Sequence, residues 1–242
     1  MVLRMQNQPR VYLGLTTTEK SDWKEKIEEI KKFSIKEIAL FPTALLPGER
    51  HELYKELENT PIECIPFVHL RHDSSDDEIE YFVTKYKTQR FNIHSTPDAL
   101  EKFATSKYKD MIYIENTDRL GKEFFDSLKE FAGLCFDVAH WEDYGIKQKG
   151  NSYDNFAQIV EQTKIGFSHL SSVREVGYER HYEYFSSHDF HYSAHLMEKV
   201  EDMDYLKKYV EYLPEILGIE LENTLEEQIE VKEYIEKVIL KI

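Results

Sequence analysis

The chain has only two cysteines in 242 residues, and neither belongs to a pair. Cys64 sits in the apolar run IECIPF and Cys135 in GLCFDV, so both read as buried thiols. CxxC spacing is absent, which excludes a cysteine-based zinc knuckle, and the cysteine density is far below that of a secreted disulfide scaffold. Glycine (9) and proline (7) are too scarce for a collagenous or low-complexity chain. No apolar run approaches the ~18 residues that a membrane-spanning helix needs. The opening MVLRMQNQPRVYLGL carries two arginines but no apolar core of a leader, so the expected setting is a reducing cytoplasm. Basic residues (31) are outnumbered by acidic ones (46), giving a net charge of -15. A field of that sign opposes a general polyanion coat or adhesion to anionic membranes. It leaves open a local cationic site built from metal ions.

The chain does have an apolar fraction of 41% with 13% aromatics, enough for a sizeable core. Short β-rich runs alternate with longer amphipathic, Lys/Glu-rich stretches. The expected strands are Val11–Leu15, Glu37–Phe41, Glu63–Val68, Arg90–Ile93, Met111–Ile114, Gly133–Phe136, Ile165–Ser168 and Leu217–Leu221. Helical patterns follow at Asp22–Phe33, Gly48–Leu57, Asp76–Tyr86, Pro97–Ser106, Lys122–Phe131, Tyr153–Thr163, Met203–Tyr212 and Leu225–Leu240. Ser75 before three acids and Thr224 before Glu226 and Glu227 are N-cap signals. Strict alternation of this kind predicts an α/β chain folded as a single (β/α)8 TIM barrel over residues 1–242. The competing doubly wound sheet normally carries a glycine-rich first turn, and here that turn is LGLTTTEK. The longest irregular stretch, Ser171–Ala194, is rich in Tyr, His and Ser and reads as a functional loop.

Barrels draw their chemistry from the C-terminal ends of strands. At those ends the sequence places His69, His94, Glu115, Asp137 with His140, His169, then Asp189 and His191 in the loop, and finally Glu222. A single histidine at a strand end is more often an ordinary hydrogen-bonded residue than a ligand. Glutamates in apolar strands are less casual, because buried carboxylates need partners. Imidazole and carboxylate together suit zinc, manganese or iron, and cations remove the cost of gathering several acids in one cavity. For the last acid, Glu220 and Glu222 share strand parity. The run IELENT mirrors IYIENT of the fifth strand, which favours Glu222. His72, His188 and His195 read as supporting or surface residues, and His51 and His181 as solvated. Arg71 and Arg174, just past strand ends, are the candidate anion-binding residues for substrate.

This ordered set resembles the xylose isomerase-like TIM barrels, and within them the endonuclease IV branch most. The set shared by the isomerase and epimerase members would be Glu115, Asp137, His169 and Glu222. The endonuclease IV resemblance extends it: His69 and His94 on strands three and four, Glu115 before Asn-Thr, the DxxH of Asp137 and His140, the His-Leu of His169, the DxH of Asp189 and His191, and the final Glu222. The chain departs from that pattern after strand seven, where Ser171 and Ser172 replace Asn-Asp, and after DxH, where Tyr192-Ser193-Ala194-His195 replaces glycines. His94 is followed by Ser-Thr, not Pro-Gly.

The resemblance implies a metal-dependent hydrolase of phosphate esters holding two or three Zn2+ ions. In it Glu115 bridges cations, and a hydroxide on them attacks phosphorus in line. Its substrate would be a small phosphorylated molecule or damaged DNA, with no membrane partner. The alternative is a sugar or sugar-phosphate isomerase or epimerase with one Mn2+, Mg2+ or Zn2+. There Glu115 and Glu222 would act as acid and base. A third reading is a barrel that binds metal and serves as an interaction module. The discriminating features are His94 and the Asp189-Phe190-His191 triplet, which the isomerase does not need.

Overall fold

The β-rich runs pair edge to edge largely in chain order. The computed structural model describes residues 8–18, 21–118, 120–181 and 188–242, with the side chains of 180–189 outside the description. The strands are β1 (Arg10–Tyr12), β2 (Gly14–Thr16), β3 (Ala39–Phe41), β4 (Phe67–His69), β5 (Arg90–His94), β6 (Ile112–Glu115), β7 (Leu134–Asp137), β8 (Ile165–Leu170), β9 (Ser172–His181), β10 (His188–Ala194) and β11 (Ile216–Ile219). Nine of them form one sheet in the order β1-β11-β8-β7-β6-β5-β4-β3-β2. Its pairings are all parallel. The two edge strands are separated by Leu13 alone, so the sheet is a nearly closed, TIM-like barrel. The count is nine rather than the expected eight because the first strand breaks at Leu13. Its first half pairs with β11 and its second half with β3.

Inside the barrel the pleat alternates side chains inward, and large rings fill the space. Phe67 of β4 stacks on Phe167 of β8 at 4.2 Å between ring centroids, a contact across the sheet rather than along it. Tyr12, Ala39, Phe41, Tyr113 and Cys135 complete this inner cluster. Gly218 on β11 is obligatory in that packing, since a Cβ there would lie 2.2 Å from Phe67 Cζ. The inner layer therefore closes the barrel's lower part and leaves polar residues to the strand ends.

Helices α1 (Trp23–Phe33), α2 (Pro47–Leu57), α3 (Asp76–Tyr86), α4 (Pro97–Ala104), α5 (Lys122–Glu130), α7 (Phe156–Gln162) and α8 (Leu225–Tyr234) follow the strands around the sheet, and the single turn α6 (Val138–His140) continues β7 at the rim. Ile27, Leu53, Phe82, Phe103, Phe124, Phe156 and Val231 are buried in the larger apolar cluster around the sheet. The expected caps are present: Ser75 Oγ accepts from Glu78 N at 3.3 Å, and Thr224 Oγ1 accepts from Glu227 N at 3.2 Å. The helix expected at Tyr153–Thr163 starts only at Phe156, and the one expected at Leu225–Leu240 becomes π-helical from Ile235. Two further segments differ more. The stretch Met203–Tyr212 forms tighter 3-10 turns, Val200–Lys208 and Val210–Tyr212. The stretch Ser171–Ala194 holds an antiparallel ribbon, β9 with β10, not an irregular loop. Among the described residues no helix is long and apolar enough to cross a membrane.

Arg50 of α2 fixes the segment that follows β4. Its side chain is 1% exposed, and Nε donates to Glu78 Oε1 at 2.9 Å, Nη1 to Asp73 Oδ1 at 2.9 Å and to Leu45 O at 3.0 Å. This fork ties α2 to α3 and to the turn carrying Asp73, four residues from His69.

Candidate metal centre

Strand register sets the site. His94 of β5 lies beside Glu115 of β6, Asp137 of β7 beside His169 of β8, and His169 beside Gly218 of β11. His69 pairs with Asn92, two residues before His94, so its ring reaches over the same end. All of these project inward at the C-terminal rim, together with Glu220, two residues past Gly218. His69, His94, Glu115 and Glu220 bound a cavity of about 560 Å³ that also touches His140, His191, His195 and Tyr144, whereas Asp137 and His169 are fully buried and do not line it.

Glu115 stands at the centre and is 2% exposed. Its Oε2 is 2.9 Å from His69 Nε2 and 3.6 Å from His169 Nδ1, while its Oε1 is 3.6 Å from His94 Nε2. Asn92 Nδ2 donates to Oε2 at 2.6 Å and holds the carboxylate in place. His69 and His94 bring their Nε2 atoms to 3.2 Å of one another. The His69 Nδ1–H donates to Leu70 O at 3.0 Å, so Nε2 presents its lone pair to the cluster. On the other side, His169 Nδ1 is 3.2 Å from Glu220 Oε2, without hydrogen-bond geometry. Asp137 Oδ2 is likewise buried with no hydrogen-bond partner among the described residues.

These distances and orphaned atoms fit divalent cations. Two ligand atoms on one tetrahedral zinc, each at about 2.0–2.1 Å, stand roughly 3.3 Å apart. The sets His69-His94-Glu115, Glu115-Asp137-His140 and Asp137-His169-Glu220 each bring their ligand atoms within 4.8 Å of one another. Buried His, Glu and Asp groups here could therefore hold metal. Charge points the same way. Glu115, Asp137 and Glu220 are all buried, and among the described residues none makes an ion pair with Lys or Arg.

Among the described residues, histidines are the only cationic partners these acids have. Burial would raise the Glu115 carboxyl, but His169, His69 and His94 hold it well below the usual range. Burial likewise opposes ionisation of Glu220, yet His195 and His169 bring it down to about 2. Asp137 goes the other way, raised chiefly by burial. Burial disfavours the charged His169 ring, while Cys135, Glu115 and Glu220 raise it well above an ordinary histidine. Burial pushes the Cys135 thiol up to about 12.

The supporting residues are mostly ones the sequence did not single out. Asn116 clamps β7, donating from Nδ2 to Asp137 O at 2.8 Å and accepting from Asp137 N at 2.9 Å. Its own carbonyl accepts the His140 Nδ1–H at 2.8 Å, which leaves the His140 Nε2 lone pair available. Asp143, in the π-helical segment Trp141–Lys147 after α6, accepts from Tyr192 N, Ser193 N and Ser193 Oγ at 2.8–2.9 Å. That anchors β10 over the cavity and brings His191 Nδ1 to 3.1 Å from the Tyr144 hydroxyl. Asparagine within an apolar strand (FNIH) and directly after a strand-end glutamate (IENT) was the available signal for Asn92 and Asn116.

Of the expected ligands, His69, His94, Glu115, Asp137, His140 and His169 come together, and His191 lines the same cavity without joining their cluster. Asp189 belongs to β10, but its side chain lies outside the described residues, as do those of His181 and His188. Glu222 is a correction: Glu220 faces the centre instead. Strand β11 ends at Ile219, and beyond Glu220 the pleat no longer dictates direction. Glu222 N donates to His195 O at 2.6 Å, and its carboxylate accepts from Thr18 Oγ1 at 2.5 Å, away from the cluster. His195, expected to be peripheral, lines the cavity, with Nε2 3.8 Å from Glu220 Oε1.

Neither candidate anion-binding arginine lines the main cavity. Arg71 borders a smaller adjoining one of about 130 Å³, where Asp73 and the Thr43 carbonyl hold its guanidinium. Arg174 pairs with Glu198 and lies over the Tyr178 ring. The placement of the two glutamates predicts that Glu220→Gln weakens binding of one cation by roughly 10–100-fold. Glu222→Gln leaves metal content unchanged. Zinc titration of both variants against a chromogenic chelator checks this, and equal loss in both would contradict it.

No protein-family model matches the chain, and no curated protein matches it. Among solved structures it is similar to the crystal structure of an uncharacterized B. cereus protein, with a TM-score of 0.48 and 16% identity. The similarity covers 93% of this chain but 65% of that one, so the chain spans just under two thirds of that structure's length.

Proposed function

We propose that the chain is a metal-dependent hydrolase of phosphate esters, built on a (β/α)8 barrel of the xylose isomerase-like kind and resembling endonuclease IV. The observation that carries this reading is the position of Glu115. It stands between two histidine groups: Oε1 is 3.6 Å from His94 and Oε2 is 2.9 Å from His69, whose Nε2 atoms lie 3.2 Å apart, while Oε2 is also 3.6 Å from His169. A carboxylate shared in this way is what two neighbouring cations require and one cation does not. His69, His94 and Glu115 would hold one zinc ion, and Glu115, Asp137, His169 and Glu220 a second. His140 with His191 would serve a third, on a lone pair that the Asn116 carbonyl leaves open. Such ions acidify water and neutralise phosphate charge.

The chain's own residues supply the rest. Asn92 and Asn116 keep Glu115 and β7 in register, and Thr43, Ser95 and Tyr144 are among the polar residues that line the cavity. The second reading, a one-ion sugar isomerase or epimerase, is favoured by one feature. Among the described residues the cavity lining contains neither Lys nor Arg, which suits a neutral polyol. In that reading Glu115 and Glu220 are the acid and base.

His94 separates the two. It sits at the mouth, its side chain 47% exposed, and belongs only to the first set. His94→Ala is expected to lose one ion per chain and to abolish release of p-nitrophenolate from bis(p-nitrophenyl) phosphate. A variant that keeps its full metal content and instead interconverts a ketose and an aldose would establish the isomerase reading.

A further inference from the structure

Cys135 is fully buried on β7, in register with Glu115 of β6 on one side and Phe167 of β8 on the other, and it does not line the cavity. Its Sγ lies 3.3 Å from His169 Nε2. Aromatic rings pack on the faces and edge of the His169 ring: Phe67 stacks on it at 5.5 Å, and Phe41 meets it edge-on at 5.0 Å. Those rings fix the plane of the imidazole but not which nitrogen carries its proton. The opposite nitrogen, Nδ1, faces Glu220 and Glu115 with no hydrogen-bond partner among the described residues.

We propose that Cys135 is a positioning residue of the metal centre: its sulfur accepts the His169 Nε2–H, selects that tautomer, and aims the Nδ1 lone pair at the cation held with Asp137 and Glu220. The proposal rests on the metal-centre reading above. A histidine ligand normally donates its second N–H to a carboxylate or a carbonyl. Here three carboxylates are already buried within reach of the same ring, and a fourth behind it would add negative charge to a water-poor interior. A neutral, polarisable sulfur orients the ring without that cost, although it is a weak acceptor. The sequence shows the residue only as a buried thiol in GLCFDV. Its role emerges from the parallel register of β7 with β8.

The test compares the zinc-loaded full chain with Cys135→Ala, Cys135→Ser and Cys135→Val. Zinc affinity is read by chelator competition, and the His169 tautomer by long-range 1H–15N NMR. Cys135→Ala and Cys135→Val are expected to bind the His169 ion roughly 10–100-fold more weakly while the ion at His69 and His94 keeps its affinity. The His169 Nε2–H signature is lost in both. Cys135→Ser, whose hydroxyl can accept the same proton, recovers most of the affinity. The valine variant fills the volume without an acceptor, so it reads the result even if the alanine cavity unfolds the barrel. Wild-type affinity with an unchanged tautomer in the valine variant would overturn the proposal and reduce Cys135 to a space-filler. A wild-type chain that binds no ion through His169 would overturn the metal-centre reading itself.

Discussion

Glu115→Gln is expected to leave at most one cation per chain and to lower hydrolysis of bis(p-nitrophenyl) phosphate by at least ~10³-fold, equivalent to about 4 kcal/mol. The substitution keeps the shape and even the Asn92 contact, through the remaining carbonyl oxygen. It removes the charge that faces His69, His94 and His169. An amide bridges two cations poorly, so both neighbouring sets lose a ligand at once. Elemental analysis and turnover on the same preparation check the two parts. Full metal content with lost turnover would make Glu115 an acid–base residue rather than a bridge.

Arg50→Ala is expected to destabilise the chain by about 3–5 kcal/mol, because it breaks a buried, multiply bonded ion pair. The guanidinium is enclosed, so its loss also opens a cavity between α2 and α3. Arg50→Lys keeps the charge but not the fork and should fall between the two. The effect depends on pH in a defined direction. Burial opposes ionisation of Asp73, but Arg50 and Arg71 bring its carboxyl below the ordinary range. A carboxyl whose folded value is depressed contributes stability above its unfolded value, near pH 4, and loses it as pH falls through the folded value. The gap between wild type and Arg50→Ala in urea unfolding should therefore be widest at neutral pH and narrow on acidification below about pH 4. A gap independent of pH would place the cost in packing alone.

The strand ends were the legible part of the sequence. A histidine or acid closing an apolar run stands at the rim in any parallel barrel, and His69, His94, Glu115, Asp137 and His169 follow from that rule. The last acid did not follow, because parity admitted both Glu220 and Glu222 and the local likeness of IELENT to IYIENT pointed to the wrong one. What decides it is that β11 stops at Ile219, after which Glu222 N bonds to His195 O in a distant segment. The ribbon β9–β10 was hidden because it pairs only with itself, over the cavity and not in the barrel wall, so its residues lack the core-facing alternation that marks a strand. Asn92, Asn116 and Cys135 act across strands, and cross-strand register is not written in any single run. Arg71 and Arg174 looked like anion contacts from position alone, but neighbouring acids already hold both.

The shared carboxylate of Glu115 is the core of the account, and metal stoichiometry tests it most directly. Elemental analysis of the chain after zinc loading and desalting should give two or three ions per chain. One ion, or none, would contradict it.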